Sequence, residues 1–310
     1  MRDVRTIDSG YMGQRGVAAA FLVHDAGEAA FVETSTALAA PRMLRALEEE
    51  GLRPEQVRYV VITHVHLDHA GGASALMRAC PEATLLAHPR AARHAVDPSR
   101  LVASATAVYG EERFRALYGT IEPIEAERVR SVDDGEVLSL GRRELAFLHT
   151  RGHANHHFVV HDRAAEGVFT GDSFGIGYPA LQTDGRFVFP STSPTDFDPE
   201  AARESLRRIV DTGARRVWLT HFGERRDVAD VAADLDGQLE AYADLLERAG
   251  HVDDADLDRW CEQGVRALFE ALFAVRPGAD TPENRALVEL DVDLNAQGVA
   301  FAARRARRGR

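Results

Sequence analysis

Thr63-His64-Val65-His66-Leu67-Asp68-His69 follows the apolar run Val57-Arg58-Tyr59-Val60-Val61-Ile62 and leads into Ala70-Gly71-Gly72-Ala73. The run before it is β-branched and aromatic, the signature of a buried strand. The stretch after it is small and compatible with a helix. A cluster of imidazoles and a carboxylate therefore sits where a strand hands over to a helix. On an extended segment, side chains two apart point the same way, so His64 and His66 can share one metal ion. Asp68 and His69 lie past the turn and can face a second position. Imidazole with carboxylate suits zinc, and also iron or manganese.

Working outward, three more donors stand at predicted strand ends. His153 follows residues 144–149 in Thr150-Arg151-Gly152-His153. Asp172 follows residues 167–170 in Gly171-Asp172-Ser173. His221 follows residues 216–220 in Thr220-His221-Phe222-Gly223. Each alone reads as an ordinary turn. Together, at successive strand ends, they close a two-metal site. Each ligating imidazole also needs an acceptor for its other N–H, which the sequence does not identify.

The surrounding pattern is mixed. Residues 17–24 and 29–33 read as strands around a turn, 41–51 as a helix, 70–80 as a helix and 84–87 as a strand. Residues 89–127 read as a polar helical insertion capping a site. Residues 136–140 with 144–149, and 158–161 with 167–170, read as hairpins. A helix at 199–212 precedes the strand 216–220. This order predicts an α/β sandwich. After residue 225 the pattern becomes helical throughout, with a helix start at Thr281-Pro282-Glu283. The predicted division is a catalytic domain over 1–225 and a helical extension over 226–310.

Composition narrows the chemistry. The chain has 310 residues and a formal charge of −12. All 37 basic residues are Arg. A chain without Lys cannot use a Schiff base, a Lys base or a P-loop lysine. The acidic balance makes nucleic acid an unfavoured partner. The five Arg within residues 304–310 read as a solvated helix end, with binding of RNA or an anionic surface as the alternative. Cys80 and Cys261 stand far apart and predict no disulfide framework, and a reducing compartment. The polar start and the lack of a long apolar run predict a cytoplasmic chain with no membrane partner.

The series His-x-His-x-Asp-His, Gly-His, Gly-Asp and a strand-end His resembles the metallo-β-lactamase superfamily over about residues 10–225. The resemblance implies a four-layer αββα sandwich with the site at one edge, here followed by an all-α C-terminal extension. It implies that His64, His66 and His153 hold one metal, that Asp68, His69 and His221 hold the other, and that Asp172 bridges them. The extension is similar to that of glyoxalase-II-like thioester hydrolases, without a motif to transfer. Two divalent metals, zinc first, then give a bridging hydroxide near neutral pH, with Asp68 orienting it and relaying a proton. The expected activity is hydrolysis of a small thioester, ester or lactone. A di-iron protein reacting with O₂ or NO is the alternative, and His66, where those relatives place Glu, favours hydrolysis. A phosphodiesterase or nuclease is the second alternative. Tyr178, His156, His157, Arg186 and Phe189 are expected at the substrate, Tyr178 as a donor to an oxyanion. The apolar faces of the C-terminal helices can form a homodimer.

Overall fold

The computed structural model describes residues 4–192 and 194–308. Two six-stranded mixed sheets carry the strands. The first runs β1 (Val4–Asp8), β2 (Ala19–Asp25), β3 (Glu28–Val32), β4 (Val57–Val61), β5 (Thr84–Ala87) and β6 (Val129–Ser131), side by side in chain order. The second runs, from the opposite edge, β7 (Val137–Leu140), β8 (Arg143–His149), β9 (Phe158–Asp162), β10 (Gly167–Gly171), β11 (Arg216–Leu219) and β12 (Gly223–Arg225). Both expected hairpins form, β7 antiparallel to β8 and β9 antiparallel to β10.

The alternation of side chains along β2 shows how the layers arise. Ala20 and Leu22 face one core with Met43 and Leu47, while Ala19, Phe21 and Val23 face another with Phe147, Phe158, Phe169 and Trp218. A strand buried on both faces reads as an unbroken apolar run, which is what residues 17–23 show. Met43 and Leu47 come from α1 (Ala40–Glu49). After β4 come α2 (Leu67–Ala70) and α3 (Ala73–Ala79), the latter burying Leu76 and Met77 in the same core. The expected insertion is helical: α4 (Pro89–Val96), α5 (Ser99–Tyr109) and α6 (Glu111–Tyr118). Later come α7 (Pro199–Val210), α8 (Val228–Ala249), α9 (Leu257–Ala274) and α10 (Pro282–Arg308). The side chain of Asp198 caps α7 by accepting from the amide of Ala201 at 3.1 Å.

The chain divides into two compact units. The first runs through His149 and adds His156–Gly171 and Gly213–Arg226. It contains β1 to β12 and α1 to α6. The second comprises Thr150–Asn155, Asp172–Thr212 and the chain from Asp227 onward, with α7 to α10.

Three edge strands escape the sequence reading: β1, β6 and β12. Each is short and partly exposed, so polar residues such as Arg5, Arg130 and Glu224 mask the period-two pattern. The Arg-rich tail makes contacts that the sequence does not show. Arg304 pairs with Asp254 and Asp258, Arg305 donates to the carbonyls of Thr195 and Phe197, and Arg307 donates to those of Ala249 and Val252. Arg305 and Arg308 are exposed, so this end of the helix is solvated, while Arg305 and Arg307 also reach open carbonyls. Gly309 and Arg310 lie outside the described residues. Cys80 and Cys261 are free and buried. Among the described residues, no helix is long and apolar enough to cross a membrane.

Candidate metal centre

In the first unit, β4 ends at Val61 and the chain turns through Thr63 and His64 into α2, with the extended His66 as its N-cap. The turn gathers imidazoles. His64 Nε2 and His66 Nδ1 lie 2.9 Å apart, and the His64 ring sits 4.1 Å from that of His69. His221, just after β11, brings its Nε2 to 3.4 Å from Asp68 Oδ2, and His69 Nε2 lies 3.8 Å from the same oxygen. One donor atom each from Asp68, His69 and His221 falls within 4.8 Å of the others.

The hydrogen bonds behind these rings set their tautomers. His221 Nδ1 donates to the carbonyl of Val17 at 2.8 Å. His69 Nδ1 donates to Glu33 Oε1 at 3.1 Å. Thr63 Oγ1 donates to the same oxygen at 2.5 Å and accepts from His64 Nδ1 at 3.0 Å. Thr220 Oγ1 adds a third donation at 3.2 Å. With Nδ1 carrying the proton, the Nε2 lone pairs of His64, His69 and His221 are offered forward. Glu33 thus orients His69 directly and His64 through Thr63.

Glu33 is a residue of this candidate centre that the sequence does not point to. It follows β3 with φ of +66° and is fully buried. Its one visible signal is an acid closing an apolar strand, at the head of Glu33-Thr34-Ser35-Thr36.

These donors fit a metal. A tetrahedral zinc ion with Zn–N near 2.0–2.1 Å separates its nitrogens by about 3.3 Å, close to the spacings found here. The carboxylate supplies a second observation. Among the described residues, Glu33 has no Arg partner, and its Oε2 makes no hydrogen bond. A buried carboxyl oxygen without a hydrogen-bond donor is a group that a cation nearby would satisfy.

His156 and His157 belong to the same unit. The His156 ring stands 5.8 Å from His66 and 6.2 Å from His64. His157 is fully buried, 4.9 Å from the His64 ring. A Cβ on Gly171 would lie 2.4 Å from His157 Nε2, and Gly171 has φ of +49°, so glycine at this position is a steric requirement. Two tyrosines also flank the site. The hydroxyls of Tyr11 and Tyr118 lie 3.4 Å apart. Burial, with the charge of Asp68, raises both phenols well above their ordinary value.

The second unit holds the other two expected ligands. Gly152, at φ +114°, makes the turn into His153, and a Cβ there would meet the Ala202 amide nitrogen at 2.3 Å. His153 Nδ1 donates to the carbonyl of Ser191 at 3.1 Å, and its Nε2 lies 3.4 Å from Asp172 Oδ2. The Ser191 hydroxyl donates to that same carboxylate oxygen at 3.2 Å. A small cleft beside them is lined by Arg151, Ser173, Pro190, Leu235 and Leu239.

Of the expected substrate residues here, Tyr178 donates its hydroxyl to Asp291 at 3.2 Å. Arg186 pairs with Asp234 at 3.0 Å and Asp230 at 3.2 Å. Phe189 is buried 4.9 Å from Phe269 and lines a cavity of about 400 Å³ with Phe187, Leu268 and Leu272.

The family model described as the metallo-beta-lactamase superfamily matches residues 13–221. This chain belongs to the metallo-beta-lactamase superfamily. Its fold is the expected αββα sandwich with a C-terminal helical region. A metallo-beta-lactamase fold-containing protein of Sulfurisphaera tokodaii, ST1585, is 28% identical over 54% of this chain and 62% of its own length. The human acyl-coenzyme A thioesterase MBLAC2 is 28% identical over 57% of this chain and 59% of its own. The chain thus spans roughly three fifths of each of these relatives. The solved structure of the family protein TTHA1429 from Thermus thermophilus superposes with a TM-score of 0.62 at 21% identity, covering 100% of this chain and 95% of that one. At that identity it speaks for the fold alone.

Proposed function

We propose that the chain is a binuclear metallohydrolase of thioesters, with esters and lactones as the nearest other substrates. The observation that carries this reading is the pairing of His69 with Glu33 and of His221 with Val17, which aims two imidazole lone pairs beside Asp68. His64, His66 and His153 would hold one divalent ion, Asp68, His69 and His221 the other, with Asp172 shared. The order of these motifs along a chain of this family supports that assignment.

Bound cations would supply hydroxide near neutral pH and polarise the scissile carbonyl. The residues of the chain do the rest. Asp68 accepts a proton from the attacking water and passes it to the departing sulfur. The C–S bond breaks, a carboxylic acid forms, and the thiolate leaves as a thiol. A thiolate leaves readily, so a single aspartate suffices as acid. The thioesterase among the relatives supports thioester as the substrate class.

The test combines elemental analysis of anaerobically purified protein with a panel of acyl thioesters, aryl esters, lactones and phosphodiesters. About two zinc or manganese ions per chain and thioester turnover are expected. Iron with a spectrum that changes on adding O₂ would replace hydrolysis by oxygen chemistry. Turnover confined to phosphodiesters would make the chain a nuclease.

A further inference from the structure

We infer that the C-terminal helix α10 holds the metal ligands His153 and Asp172 in place through Asn295. The inference rests on the metal-site reading above and concerns only the second unit. Asn295 is buried, and its side-chain amide engages both of its N–H donors and its oxygen. Nδ2 donates to the carbonyl of Pro190 at 2.9 Å and to the Tyr242 hydroxyl at 3.0 Å. Oδ1 accepts from the amide of Thr192 at 2.9 Å and from its hydroxyl at 3.2 Å. The Thr192 hydroxyl also reaches the Asn295 carbonyl at 3.0 Å.

The clamp therefore grips the residues on both sides of Ser191. Ser191 touches both candidate ligands: its carbonyl accepts from Nδ1 of His153, and its hydroxyl donates to Oδ2 of Asp172. One asparagine, about a hundred residues downstream, sets the position of a three-residue strap that orients two ligands at once. Asn295 is a positioning residue; it touches neither ligand. The role of the helical extension follows. It completes the support of the metal site, the function that hydrogen bonds behind ligating groups serve elsewhere.

Two alanine variants on the same helix separate this role from general stability. Asn284 also spends buried hydrogen bonds, to the carbonyls of Ala180 and Ala279, and neither bond leads to Ser191. Zinc affinity is measured by competition with a chromophoric chelator on the full chain. Asn295→Ala should weaken it about 10- to 100-fold, while Asn284→Ala stays within about threefold of wild type. Asn295→Asp, which keeps the acceptor for Thr192 and loses the donor to Pro190, should fall between.

Equal losses in both alanine variants, or no loss in Asn295→Ala, would overturn the inference. A wild-type chain that binds no zinc, iron or manganese would instead remove the metal reading. The clamp is then judged in the metal-free protein by imidazole ¹⁵N shifts of His153 at alkaline pH. Wild type should show the Nδ1–H tautomer and Asn295→Ala a mixture; the same single tautomer in both would overturn the inference there too.

Discussion

Replacing Glu33 by Gln tests the arrangement behind the first-unit ligands. The change keeps the shape and removes the charge. Oε1 of Glu33 now accepts from Thr63 at 2.5 Å, His69 at 3.1 Å and Thr220 at 3.2 Å. A Gln carbonyl can still accept from these donors, but as a neutral group. Hydrogen bonds to charged partners contribute about 1.5–3 kcal/mol against about 0.5–1.5 for neutral ones. The preference of His69 for the tautomer that offers Nε2 should therefore drop by about 1–2 kcal/mol. That corresponds to about 5- to 30-fold in zinc affinity. Without metal the balance differs. The variant loses hydrogen-bond strength but also loses the desolvation cost of a buried carboxylate, so its stability should change little. Metal-conferred stabilisation scales with the logarithm of affinity, so it should shrink by the same amount, about 1–2 kcal/mol. The assay is urea denaturation with chelator and with saturating zinc, beside a direct competition titration. Zinc affinity within about twofold of wild type, in a folded variant, would show that Glu33 does not set the ligand tautomer.

Four further outcomes are expected. His69→Ala should lose one of two bound metals and nearly all thioester turnover while keeping its far-UV circular dichroism; full metal content would remove His69 from the site. Gly171→Ala forces a side chain against His157 at positive φ. It should cost about 2–4 kcal/mol in urea unfolding, with an unchanged midpoint counting against the packing described. Burial pushes the His88 imidazole down from 6.5 to about 4. The native state then binds fewer protons than the unfolded chain between those values, so stability falls as pH drops through that window, by up to about 3 kcal/mol. His88→Gln should flatten this part of the stability–pH curve, and an identical slope in variant and wild type would contradict it. Chelation should lower the melting temperature and added zinc restore it, whereas a melting temperature indifferent to both would speak against a resident metal.

The candidate donors of the first unit are legible in the sequence because four of them are crowded into one turn. His64, His66, Asp68 and His69 span six positions, and strand-to-helix geometry leaves them little choice but to converge. His221, His153 and Asp172 were legible as strand-end residues, though nothing in their local sequence says what orients them. Glu33 was not legible. One acid after an apolar strand looks like the edge of a turn, and its role depends on Thr63, His69 and Thr220, which only folding brings together. Tyr178, Arg186 and Phe189 stand out in the sequence by their chemistry alone. Their partners Asp291, Asp234 and Phe269 lie 45 or more residues away, beyond any local pattern. The composition shift after residue 225 marks where the helices become continuous. It carries no hint that Thr150–Asn155 and Asp172–Thr212 group with them.

In each unit, some of the candidate ligands depend on a group from a distant part of the chain. In the first unit, Glu33 lies 36 residues before His69, and Val17 lies 204 before His221. In the second, Asn295 reaches back 105 residues to Pro190 and 103 to Thr192. These supports differ in kind. The first unit uses a buried carboxylate, whose charge rewards a cation and penalises its loss. The second uses an amide with every donor and acceptor engaged, which adds no charge and fixes geometry alone. A change at Glu33 should therefore alter how strongly the site attracts a cation. A change at Asn295 should alter how well two ligands are aligned to receive it. That distinction makes the two variants complementary: one removes a charge behind the imidazoles of the first unit, the other removes the support of two candidate ligands in the second without changing any charge.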